Sequence, residues 1–322
     1  MVFTTHSERM MGTIVSVTVH HTNSKILLEE CFKRLRMYEH RFSANASDSE
    51  LMQINDNAGV KPVVVHKDLY ELISLGVEHS LAENSNLNIA IGPLVQTWRI
   101  GFSDANVPTA EKIKEVLEIV NPNLIELNEE SLSVYLAKKG MKIDLGALAK
   151  GYIADKIKDY LVSQNVDSAL INLGGNIVAV GNNIEKMQDW TIGIQNPKEP
   201  RGEHLALLSM NDESVVTSGI YERRLEFEGK SYHHIFDSNT GYPMETTLAS
   251  LTIVSKKSVD GEIWTTRLFG KTPAEIIMQV ESTQGIEAIL VTEDNKVYPT
   301  TGLLSKLNIF NKQQYIERTL EL

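Results

Sequence analysis

The chain has 322 residues, 42% hydrophobic and 23% charged, with a formal net charge of −11. A disordered chain is excluded, because this much apolar content can build a core. The acidic balance, without clustered Lys and Arg, excludes a protein whose main task is to grip a nucleic-acid backbone, and it disfavours anionic membranes.

The N-terminal stretch MVFTTHSERMMG has no basic start followed by an apolar signal segment, and no run elsewhere reaches membrane-spanning length. A cytoplasmic protein without membrane insertion is therefore expected. Residues 13–20 alternate with the period of a half-buried strand, and 24–42 switch to helical spacing. Cys31, the only cysteine, lies in that helical pattern, where a lone thiol reads as a small buried apolar group. A second helix is expected over 65–85 and a third over 109–120, entered through Thr109 as N-cap.

Short strands are expected in LIELNEE, SLSVYLA and MKIDL between 124 and 145, then a helix running from just after Gly146 to about Leu161. Beyond it, DSALINLGG, NIVAVG, WTIGIQNP, HLALLSM, SVVTSG and ERRLEFEG read as successive strands. LASLTIVS (248–255) and EAILVTED (287–294) are further strands, separated by helices in VDGEIWTTRLFG and TPAEIIMQVES. The tail carries no decisive period. Runs of strands broken by separate helices, without repeats or a long linker, predict an α+β fold. It occupies residues 1–322 as one domain or as two intimately packed subdomains.

Four segments carry candidate chemistry. In DLGALAKGY, Asp144 and Lys150 flank a turn of small residues that precedes a helix start, a geometry suited to a polyphosphate, although a plain helix start produces the same pattern. The spacing is not that of a Walker A loop. Between 216 and 243, Thr217, Ser218, Arg223, His234, Asp237 and Thr240 sit on strand ends and turns that can face a cleft. His233 and His234, as neighbours on a strand, would point to opposite faces, so one of them is structural. NLGGN (172–176) allows close backbone approach or a simple turn, and Asp260 in SVDGEIWTTRLFG is a helix cap or a magnesium ligand.

In order along the chain, MGT (11–13), FSANASDSELMQIN (42–55), IGPLVQTW (91–98), DLGALAKGY (144–152), NLGGNI (172–177), IGIQNP (192–197), TSGIYER (217–223) and HIFDSNTGYP (234–243) resemble the ApbE-type flavin transferases. These use FAD as donor to attach FMN through a phosphoester to a Thr or Ser of a target protein. The resemblance spans roughly residues 10–270. It implies a compact fold of mixed or antiparallel sheets flanked by helices, with FAD and Mg2+ as the small-molecule requirements. It implies FAD contacts at Met11, Ala90, Ile91, Gly92, Asp144, Lys150, Thr217 and His234, with Ser43 and Asn55 near the first flavin-binding segment. It places Mg2+ on the Ala147 carbonyl and Asp260. The threonine expected four residues later is replaced by Trp264, so a shift of one residue brings in Thr265. Asn88 where the family usually has aspartate, WRIGF for a shorter WGF and Ser238 for the usual proline are further departures.

The expected reaction is Mg2+-dependent transfer of FMN to a separate target flavoprotein with release of AMP. His234 would accept the proton of the incoming hydroxyl, Asp237 would be the reserve base, and Lys150 would stabilise charge. The alternatives are an FAD pyrophosphatase, in which water takes the place of the hydroxyl, and a non-catalytic flavin-binding protein.

Overall fold

The computed structural model describes residues 2–311. A hairpin opens it: β1 (Thr4–Met10) pairs with β2 (Thr13–Val19) across Met11 and Gly12, both at positive φ (52° and 72°), which is the two-residue turn whose twist matches the strands. Helices α1 (Ser24–Arg41) and α2 (Glu50–Asp56), strand β3 (Val63–Val64), then α3 (Lys67–Leu81), α4 (Gly92–Trp98) and α5 (Ala110–Leu117) follow. Next come β4 (Ile125–Asn128), β5 (Ser133–Leu136), α6 (Ala149–Ser163), β6 (Ala169–Leu173), β7 (Asn176–Val180), β8 (Trp190–Gln195), β9 (His204–Met210), β10 (Ser214–Gly219), β11 (Arg224–Phe227) and β12 (Lys230–His233). The chain closes with β13 (Leu248–Ser255), α7 (Ser258–Leu268), α8 (Pro273–Glu281), β14 (Ile286–Thr292), β15 (Val297–Pro299) and β16 (Leu307–Ile309).

Eight strands form one sheet in the order β1-β2-β6-β7-β10-β13-β14-β15, and every neighbouring pair in it is antiparallel. The period-two rule divides its faces. On β7, Val178 and Val180 pack into the helical side with α1 and α6, while Ala179 between them packs with the small sheet β16-β9-β8. The fold is thus α+β with antiparallel sheets, as the strand runs predict. No helix among the described residues is long and apolar enough to cross a membrane.

Several local expectations change. Thr109 caps α5 as predicted, accepting from the Lys112 N–H at 3.3 Å. MKIDL is not a strand: both main-chain groups of Ile143 are held by the side chain of buried Asn55, at 2.7 and 3.0 Å, and the Asp144 N–H goes to the Ile89 carbonyl at 2.9 Å. The segment has its hydrogen bonds without a ladder.

Helices α6 and α7 cross closely because Gly151 leaves room. A Cβ there would stand 2.6 Å from the Ser258 carbonyl and 2.7 Å from Cγ of Glu262. Asp155 of α6 caps α7 across this contact, one carboxylate oxygen accepting from the Ser258 N–H at 2.7 Å and the other from Val259 N–H at 2.9 Å. Burial pushes its pKa up to about 6 against the pull of those two amides. Asp155→Ala strands two amides at a buried helix start and is expected to cost about 2–4 kcal/mol, read as a lowered urea midpoint. With the folded pKa above the unfolded one, this carboxyl's favourable contribution is present in acid and is lost as pH rises through about 6. Asp155→Asn, which cannot ionise, should remove that slope.

Candidate functional site

A cleft of about 880 Å³ lies where the β1-β2 turn, the start of α6, α7, the β6-β7 turn and the segment after β12 meet. That volume is at the upper end for small-molecule sites, as a dinucleotide requires. Of the residues singled out from sequence, Met11, Ser43, Ile91, Asp144, Ala147, Lys150, Thr217 and His234 all line it. Met11 does so from the left-handed backbone of the hairpin turn, with its N–H donated to Glu39, so a strained non-glycine residue is fixed at the cleft wall. Ser43 is held by accepting from the N–H groups of Asn45 and Ala46 at 3.1 and 3.0 Å, and Thr217 by a 2.8 Å hydroxyl contact with Thr252.

The other predicted contacts stand behind this wall. Ala90 is fully buried, and Gly92 is pressed against the chain, since a Cβ there would meet the Lys142 carbonyl at 2.7 Å. Asn55 is spent on Ile143. These residues position the 142–146 segment instead of lining the cleft.

That segment builds the anion-facing floor. One oxygen of Asp144 accepts from the Gly146 N–H at 2.7 Å, bending the chain into α6, whose first residue follows Leu148 with no capping side chain. The Ala149 N–H is taken by the Leu145 carbonyl at 2.8 Å, while the Lys150 and Gly151 N–H groups of the first turn meet no main-chain acceptor among the described residues and add partial positive charge. Burial raises the Asp144 pKa, opposed by the Gly146 amide and by Arg223. Lys150, in the first turn, sits 3.7 Å from the carboxylate of Glu262.

Helix α7 turns toward the cleft a different face from the one expected. Gly261 and Thr265, both buried, face the sheet: a Cβ on Gly261 would come within 2.5 Å of Val216, and the Thr265 hydroxyl donates back to the Glu262 carbonyl at 3.1 Å. Asp260 faces Lys257, His79 and the carboxyl of Asp155, burial raises its pKa, and neither it nor Thr265 lines the cleft. Trp264, four residues on, is covered by the Arg267 guanidinium at 4.3 Å from its ring. Two residues along from Asp260, Glu262 and Thr266 share the face that does line the cleft. Glu262 is 5% exposed and accepts from Asn176 Nδ2 at 3.0 Å; Asn176 in turn accepts from the Ser258 hydroxyl at 2.6 Å. The i, i+4 spacing of Glu262 and Thr266 is the signal that would have found them.

Across the cleft, His234 presents its Nδ1 to the Arg223 carbonyl at 3.4 Å. A carbonyl only accepts, so Nδ1 carries the proton in that contact and Nε2 keeps its lone pair. Burial, and then the Arg223 guanidinium, push the His234 pKa down to about 4, so the ring is neutral at pH 7. Arg223, already among the candidates between 216 and 243, also lines the cleft and acts on both Asp144 and His234. His233 is structural, its ring contacting the Met244 carbonyl at 2.9 Å. Asp237 does not line the cleft: its carboxylate accepts from the Asn239 N–H at 2.8 Å and closes the turn that Trp98 anchors through Gly241.

The chain is similar to known proteins over most of its length. Residues 11–290 match the ApbE family. The chain is 40% identical over 292 residues to the FAD:protein FMN transferase of Klebsiella pneumoniae, covering 91% of this chain and 90% of that protein. It is 33% identical over 328 residues to the FAD:protein FMN transferase of Treponema pallidum, covering 97% and 91%. Its fold matches the ApbE protein of Thermotoga maritima with a TM-score of 0.86 at 24% identity, over 94% of this chain and 98% of that one.

Proposed function

This chain belongs to the ApbE family and is an FAD:protein FMN transferase, and from that premise we propose how its own residues carry the transfer. The observation that carries the proposal is the convergence of Lys150, Glu262, Arg223 and His234 on one cleft at an uncapped helix start. FAD is the donor. Lys150, Arg223 and the unpaired amides in the first turn of α6 hold its diphosphate, and Asp144 keeps the floor in register by its bond to Gly146.

A hard divalent cation fits the donor set at this place. Glu262 supplies a buried carboxylate and Thr266 a hydroxyl, while the Ala147 carbonyl accepts no main-chain hydrogen bond from the described residues. No cluster of three or more His, Cys, Asp or Glu occurs among the described residues, which suits Mg2+, a cation that takes few protein carboxylates and completes its shell with phosphate oxygens and water. Bound there, Mg2+ would supply positive charge to the diphosphate oxygens and ease the departure of AMP. Glu262 and Thr266, with Ala147, replace Asp260 and Thr265 as the proposed ligands.

The acceptor hydroxyl of the target protein attacks the FMN phosphorus. The new oxygen–phosphorus bond forms as the diphosphate bond to AMP breaks, and the hydroxyl proton passes to Nε2 of His234. The test is incubation with FAD, MgCl2 and a target flavoprotein. Flavin fluorescence that stays with the denatured target, together with AMP, is expected; AMP and free FMN alone would make the enzyme a pyrophosphatase and overturn the transfer reading for this chain.

A further inference from the structure

The transferase must admit a polypeptide as well as a dinucleotide, and one strand meets the cleft in a way that suits a polypeptide. Ile192, Gly193, Ile194 and Gln195 of β8 all line the cleft. A strand offering a face would contribute only every second residue, so consecutive lining marks an edge. The main-chain directions agree. On β9 the Leu205 carbonyl accepts from Phe310 N–H and the Ser209 N–H donates to the Lys306 carbonyl, so the odd-numbered residues of β9 face β16. Its even-numbered residues Ala206, Leu208 and Met210 then pair with Ile194, Ile192 and Trp190. Thr191 and Gly193 are left with N–H and C=O groups pointing away from the sheet, and β8 is the last strand on that side.

Open edges are normally blunted by charge, proline or brevity. β1, at one end of the large sheet, carries His6, Glu8 and Arg9; β15, at the other, is three residues ending in Pro299; β16 is three residues long. β8 reads WTIGIQ, with no charge and no proline. A wall stands beside this edge. The Gln195 side chain accepts from the Gly202 N–H at 3.0 Å and donates to the carbonyls of Asn196 and Pro200 at 2.8 and 3.1 Å, which fixes the loop from which Arg201 reaches the Gly174 carbonyl at 3.2 Å.

We propose that the acceptor segment of the target protein docks as an added strand along the open edge of β8, pairing with the main-chain groups of Thr191 and Gly193, and so carries its Ser or Thr hydroxyl into the cleft. The inference rests on the transferase reading. It explains how one enzyme can accept a segment largely through its backbone, with side-chain pockets left to refine the choice.

Thr191→Pro removes one edge donor at a residue that does not line the cleft, while Thr191→Ser keeps it. Thr191→Pro is expected to raise the acceptor KM about tenfold, the loss of one main-chain hydrogen bond. FAD affinity and acceptor-free AMP release should stay at parent level, and Thr191→Ser should behave as parent. The deciding measurement uses the parent enzyme and a short synthetic peptide spanning the flavinylated residue of a target it labels. N-methylation of successive peptide amides should impair labelling at every second position. Parent-like acceptor KM in folded Thr191→Pro, or a methylation scan without alternation, overturns the proposal. So does a fall from dimer to monomer in Thr191→Pro with transfer unchanged, which would assign the edge to a second copy of this chain. If the parent labels no target protein at all, the transferase reading fails and the inference goes with it.

Discussion

Glu262→Gln is expected to lower Mg2+-dependent AMP release from FAD by about a hundredfold or more, the scale of removing a metal-held charge from a phosphoryl-transfer site, while Asp260→Asn stays within about twofold of the parent. The contrast follows from the helical period of α7. Gly261 and Thr265 are turned to the sheet, Asp260 lies toward Lys257 and His79, and only the face bearing Glu262 and Thr266 lines the cleft. Glutamine keeps the shape of Glu262 and can still accept from Asn176, which donates to the present carboxylate at 3.0 Å. What it removes is the negative charge opposite Lys150. Folding should therefore survive, and a titration of Mn2+ followed by its paramagnetic signal should lose the site in Glu262→Gln and keep it in Asp260→Asn. The reverse order for the two variants would return the metal to Asp260.

The network behind Glu262 makes its orientation a property of several elements at once. Ser258, on α7, donates to Asn176 at the start of β7, and Asn176 donates to Glu262, one turn further along α7. Asp155 holds the same helix from α6. A carboxylate this buried gains direction from such partners, and losing one leaves the others unsatisfied.

Hydrophobic period carries much of the fold: β2, α1, α3, α5, α6 and the strands from β6 to β10 follow from alternation or helical spacing. It fails where burial is not its cause. β1 is mostly exposed and polar, so its strand period hides no apolar face, and α2 and α4 are seven residues each, too short to show a helical one. In the site, motif order locates the segments but not which way each side chain turns. Asn55, Ala90 and Gly92 lie in the right segments yet support the cleft wall from behind. Glu262 and Thr266 stand two and six residues beyond Asp260, and only the packing of Gly261 on Val216 decides which of them meets the cleft. Arg223 acts on Asp144 and His234 through three-dimensional proximity that no spacing reveals.

His234→Ala is expected to leave FAD binding within about threefold of the parent and to cut FMN transfer by about 10²- to 10⁴-fold, the usual reach of a general base. The ring is suited to that role by its tautomer, since the Arg223 carbonyl occupies Nδ1–H and leaves Nε2 to take the proton. The pH dependence carries the sharper test. A base works unprotonated, and burial with Arg223 holds this one down at about 4 in the free enzyme. The acid limb of kcat/KM for FAD, which reports the free enzyme, should therefore fall below pH 5, lower than an ordinary imidazole near 6.5 would give. Bound diphosphate neutralises Arg223 and Lys150, the cations that disfavour imidazolium, so the acid limb of kcat should lie at higher pH than that of kcat/KM. In Arg223→Gln the free-enzyme limb should move upward, because one source of repulsion is gone while the carbonyl contact, a main-chain feature, persists. An acid limb that is the same in kcat and kcat/KM and indifferent to Arg223 would remove His234 as the proton acceptor.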